Sequence, residues 1–133
     1  MWSYKLFRIG ALVLAVNGIA HLLGFLGNRG VKPVNGTEFQ MNELLYGFKI
    51  NMMGTMRTQG DVFDGLNLAF TVFMLTLAAL GFTLRVERKT GIVIAASLAV
   101  MLGISVTYWY IMPTMFLTAA LACFAGSAYL EKK

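Results

Sequence analysis

The chain is 133 residues long, 58% hydrophobic and only 13% charged, with a mean hydropathy of +0.70. Soluble domains average about 25% charged residues, so the composition excludes a soluble globular domain and reads as an integral membrane protein. The net charge of +5 calls for no nucleic-acid partner, because the basic residues cluster at the ends of apolar runs, and the single Cys123 excludes an intramolecular disulfide and a cysteine-based metal site.

Charge-free runs locate the spans, since a bilayer core of about 30 Å takes about 20 helical residues. The run from Ile9 to Asn28 places the first span at about 7–28, interrupted only by Asn17 and His21. A long loop follows. After the turn formers of GNRGVKPVNG, Thr37 and Gln40 fit a capping box, and Met41, Leu44, Leu45, Phe48 and Met52 recur at helical spacing. Asn42, Glu43, Lys49 and Asn51 fall on the other faces. The expectation is an amphipathic helix over 38–56 that covers the outer end of the bundle, weakened at Gly47 and Gly54.

The second span is expected over 62–84. From Thr90 to Leu130 the only ionisable side chains are Cys123 and the tyrosines, a stretch suited to two spans, at about 90–111 and 113–130. Pro113 divides them, because proline lacks an amide donor and restricts its predecessor, and Trp109 and Tyr110 suit a membrane interface. Period-two alternation is absent, so a β-barrel is excluded. The fold expected is an all-α integral membrane four-helix bundle, one domain over 1–133, with an extra helix in the first extracytoplasmic loop.

Seven basic residues (Lys5, Arg8, Arg85, Arg88, Lys89, Lys132, Lys133) fall on the side of the termini, against four in the first loop (Arg29, Lys32, Lys49, Arg57). The positive-inside rule then puts both termini in the cytoplasm. The first apolar run is full length and lacks a small-residue cleavage site, so no cleavable signal is expected.

Arg57, Asp61, Asp64, Asn67 and Thr71 follow one another at intervals of three or four, one stripe of a helix if that helix starts before Arg57. Asn17 and His21 share a face of the first span. At about 1.5 Å per residue, His21 and the aspartates all fall in the outer half of the membrane. Ionisable groups at such depth face the bundle interior and pair with one another. Arg57 with Asp61 is the expected ion pair, and His21 with Asp64 or Asn67 the expected contact across helices. Tyr108, Tyr110 and Thr114 reach the same level, and Glu43 and Met52 of the covering helix close the pocket from above.

The pattern Gly54-x-x-Arg57-Thr58-x-x-Asp61-x-x-x-Gly65, with His21-x-x-Gly24 and a Met-rich segment before the arginine, resembles a group of small four-span bacterial membrane proteins found in leptospiral genomes. That group has no assigned biochemistry, so the resemblance implies a fold and a bacterial inner-membrane location only. Several of its members carry an aromatic residue where this chain has Gly60. A more distant likeness to DoxX-like membrane proteins rests on size and hydropathy alone.

Two functional readings follow. In the first, the pocket is an acid–base site for a lipophilic substrate entering from the membrane, as in an isomerase, a cyclase or an epoxide hydrolase. Asp64 is then the proton donor, Asp61 is held ionised by Arg57, and His21 is the base. Asn17, Asn67, Glu43, Tyr108, Tyr110 and Met52 line the substrate. In the second, the same pocket holds a lipid or quinone without chemistry, in an accessory membrane protein. Small-residue faces (Gly10, Gly18, Gly24, Gly27, Ala95, Ala99, Gly103) also permit a homo-oligomer. No cofactor or metal is expected, because His21 and the aspartates lack a zinc spacing, one histidine excludes bis-histidine haem, and methionines on an apolar face are ordinary filler.

Overall fold

The structure, a computed structural model, describes residues 2–108 and 111–131, without the side chain of Tyr108. The elements in chain order are α1 (Trp2–Asn28), α2 (Gly36–Tyr46), β1 (Lys49–Met52), β2 (Thr55–Thr58), α3 (Gln59–Thr83), α4 (Arg88–Tyr108) and α5 (Ile111–Leu130). The four long helices have 27, 25, 21 and 20 residues, and each is apolar enough to cross a membrane. At about 1.5 Å per residue even the shortest spans a hydrocarbon core. Their outward faces carry large apolar side chains, among them Leu12, Val16, Ile19 and Leu23 on α1 and Val93 and Val100 on α4. Continuous exposure of this kind suits lipid, and the chain is a multi-pass membrane protein.

The chain packs as two compact units, residues 1–20 with 72–133 and residues 21–71. The first is an all-α four-helix bundle. Phe7, Gly10, Ala11, Leu14, Asn17 and Gly18 form the buried stripe of α1, at the three- and four-residue steps of one helix face. Helices approach closely where glycine removes a side chain. A Cβ at Gly10 would press on the Phe124 ring of α5, one at Gly18 on Leu75 of α3, and one at Gly91 on Ala128 of α5. Phe7 meets Phe124 edge to face with centroids 5.0 Å apart, a favourable quadrupole arrangement. Hydroxyls join helices too: Ser127 Oγ donates to the carbonyl of Ser3 at 2.8 Å, and Ser105 and Thr114 bond at 2.8 Å. Arg8 Nη1 donates to the carbonyl of Gly81 at 2.9 Å and to that of Phe82, satisfying the open C-terminus of α3.

The second unit departs from expectation. The helix foreseen over 38–56 ends at Tyr46, and residues 49–58 form an antiparallel hairpin. Gly47 caps α2, its N–H donating to the Glu43 carbonyl at 2.7 Å. Met52 pairs with Thr55, leaving Met53 (φ 54) and Gly54 (φ 89) as the turn. Positive φ at both central residues is the signature of a type I′ turn, whose twist matches that of paired strands. Asn51 Oδ1 accepts from the Gly54 N–H at 2.8 Å and fixes it. The expected cap also moves. Asn35, not Thr37, is the N-cap of α2: its Oδ1 accepts from the Glu38 N–H at 2.9 Å, and Glu38 reaches back to the Val34 N–H at 2.7 Å. Asparagine is among the strongest N-caps, and here it has a carboxylate three residues on to answer it.

The span boundaries shift by a few residues. α5 begins at Ile111, so Pro113 lies inside its first turn, where a missing amide costs nothing, rather than before it. Trp109 and Tyr110, placed at the interface by the sequence, lie outside the described residues.

Candidate functional site

The second unit gathers polar groups between the end of α1 and the start of α3. His21 Nδ1 lies 3.0 Å from Thr71 Oγ1, and Thr71 Oγ1 donates to the backbone carbonyl of Asn67 at 3.0 Å. A hydroxyl has one proton, and Thr71 directs it to the carbonyl, so the imidazole donates from Nδ1. In the neutral ring that geometry corresponds to the Nδ1–H tautomer. Phe70 packs edge-on against the imidazole, with centroids 4.8 Å apart. The expected partners of His21, Asp64 and Asn67, are thus replaced by Thr71, and Asn67 takes part through its backbone. Asp64, Asn67 and Thr71 do share one face of α3, at helical steps of three and four.

Toward the loop, Asp64 meets two groups. Arg29 Nε lies 4.0 Å from Asp64 Oδ2, and the Tyr46 hydroxyl donates to Asp64 Oδ1 over a long 3.4 Å. Arg29, 63% exposed, rests its guanidinium over Phe25 at 5.6 Å, one turn earlier in α1, while Asp64 is only 23% exposed. The Tyr46 ring lies against the backbone of Gly60, where any Cβ would overlap it. Burial raises the Tyr46 phenol above the ordinary tyrosine value, and the Asp64 carboxylate raises it further by charge and by hydrogen bond, against a smaller opposing pull from Arg29.

Two expected site residues serve the backbone instead. α3 starts at Gln59, so Arg57 falls in β2, paired with Ile50, off the helical stripe and exposed. Asp61 Oδ2 accepts from the Thr58 N–H at 2.9 Å while Thr58 Oγ1 accepts from the Asp61 N–H at 3.0 Å. This reciprocal capping box starts α3. Arg57 and Asp61 do not form an ion pair; among the described residues Arg29 and Asp64 do.

The remaining candidates are spread out. Asn17 is buried in the first unit, its Nδ2 without a hydrogen-bond partner among the described residues. Glu43 is exposed on α2, Met52 closes β1 half-exposed, and the Tyr108 side chain and all of Tyr110 lie outside the described residues. Among those residues, no three or more His, Cys, Asp and Glu side chains gather to hold a metal. Tyr46 and Arg29 were missed as site residues. Arg29 directly follows α1 and is the first Lys, Arg, Asp or Glu after the apolar run from Ile9 to Asn28, and that position was the available signal. For Tyr46 the only signal was Gly60, a side-chain-free position within a helix.

No protein-family model, curated protein or solved structure matches the chain.

Proposed function

We propose that this protein is a lipophile-binding accessory protein of a bacterial inner membrane, with both termini cytoplasmic. It would hold a lipid or quinone by the polar groups between α1 and α3. The observation that carries the reading is the convergence of Arg29, just past α1, Tyr46, the last residue of α2, and Asp64 of α3, within the unit that also holds His21 and Thr71. A lipophile lying along α1 and α3 would set its carbonyl or hydroxyl among these donors and acceptors and its chain against lipid-facing apolar residues. Such a site is mostly apolar with a few polar groups that fix orientation. The bias of basic residues toward the termini supports the orientation, and the motif around Arg57 and Asp61 supports the bacterial assignment.

Binding is preferred over acid–base turnover because Asp61 is committed to the capping box and Arg57 to the hairpin. One observation favours catalysis as a second reading: an imidazole, the side chain best suited to proton transfer near neutral pH, is held in a set orientation by Thr71. A photo-crosslinking residue at Asn67, half-buried on the α3 stripe, tests both. An adduct whose mass matches a membrane lipophile supports binding. Adducts with protein alone would count against it. Conversion of the captured compound by wild type, abolished in His21→Gln, would establish the catalytic reading.

A further inference from the structure

One end of the bundle carries a cleft of about 450 Å³, bounded by Ser3, Tyr4 and Arg8 of α1, Thr83 and Arg85 at the end of α3, and Glu131 after α5. Arg8 is half-buried there. Its Nη1 is held by two carbonyls and its guanidinium sits 4.9 Å over the Tyr4 ring. Nε remains without a hydrogen-bond partner, so these contacts leave the planar fork of donors unsaturated. Among the described residues neither Arg8 nor Arg85 has a carboxylate at ion-pair distance. A half-buried cation without a counter-charge is costly to maintain. The cleft therefore favours an anion.

Its position narrows the choice. It lies where α1 begins and α3 and α5 end, the level at which helix ends meet lipid headgroups. Two guanidinium groups and one carboxylate suit a group carrying a phosphate and a separate cation. We infer that this cleft binds the headgroup of a zwitterionic phospholipid of the phosphoethanolamine class, the phosphodiester on Arg8 and Arg85 and the ammonium on Glu131. Arginine takes phosphate by paired hydrogen bonds as well as by charge. Inorganic phosphate shares the first half of this chemistry and lacks the second. The site is separate from the one discussed above and stands without it.

Native mass spectrometry in mild detergent, with added dioleoylphosphatidylethanolamine, dioleoylphosphatidylglycerol or inorganic phosphate, tests the inference. Wild type should retain the ethanolamine lipid over the glycerol lipid. Arg85→Gln should weaken that retention about tenfold, the scale of one charge-assisted hydrogen bond. Glu131→Gln should abolish the preference and leave binding of the glycerol lipid unchanged. Both substitutions are at exposed positions beyond helix ends, so the bundle persists. Equal retention of the two lipids by wild type would overturn the assignment, as would an Arg85→Gln protein that binds like wild type. Displacement of the lipid by equimolar inorganic phosphate would reduce the cleft to a simple anion site and overturn the headgroup reading.

Discussion

The ring of Tyr46 lies against the backbone of Gly60, and its hydroxyl reaches Asp64 one turn further along α3. This contact fastens α2 to α3, and it depends on a position that has no side chain. Gly60→Ala should expel the ring and destabilise the protein by about 1–3 kcal/mol, the usual cost of overpacking. In a Tyr46→Ala background the same change should cost much less. Thermal melts of the two single variants and the double variant measure that coupling.

The Tyr46 phenol has its own pH signature. Its proton is held above the ordinary tyrosine range by burial first and the Asp64 carboxylate second. A raised pKa means that the folded state prefers the protonated form. The contribution is therefore complete below the ordinary tyrosine pKa and lost as pH rises through the higher folded value. Ultraviolet titration of wild type minus Tyr46→Phe should isolate this group, and Asp64→Asn should move its midpoint down.

Thr71 anchors the imidazole. Thr71→Val keeps the shape and removes the hydroxyl, and should cost about 0.6–2 kcal/mol, the range for hydrogen bonds between membrane helices. Nitrogen-15 spectra of the His21 side chain should show a single Nδ1–H tautomer in wild type and a mixture in the variant.

Asp61 separates structural from chemical roles within the polar stripe. Thr58→Ala or Asp61→Ala should each cost about 1 kcal/mol, as for the loss of an N-cap contact. If the box is the whole role of Asp61, ligand retained by Asp61→Ala protein equals that of wild type under conditions where both are folded.

The spans are legible in the sequence because lipid demands long charge-free runs, and Ile9 to Asn28 or Thr90 to Leu130 admit little else. The segment over 38–56 is less so. Met41, Leu44 and Leu45 carry a helical period that Phe48 and Met52 continue, yet Gly47 stops the helix and the Met53–Gly54 turn pairs the following residues instead. Turn chemistry prevailed over periodicity there. At the site, spacing identified the α3 face that carries Asp64, Asn67 and Thr71, but not the partners across from it. His21 meets Thr71 and Asp64 meets Arg29 because α1 and α3 run antiparallel in a particular register, which single-helix spacing does not encode. Arg57 misled for a simpler reason: it precedes the first residue of α3.

The most direct test of the proposed function is native mass spectrometry of the protein in mild detergent, with solvent extraction of whatever it carries, on wild type and on Asp64→Asn and Thr71→Val. Wild type should carry a specific lipid or quinone in stoichiometric amount, and the two variants should show a graded loss, compared at a temperature where all three proteins remain folded. A folded wild-type protein that carries no such compound, or variants that retain it fully, would contradict a binding role for the Asp64 and His21 groups and leave them as bonds that fix helix register.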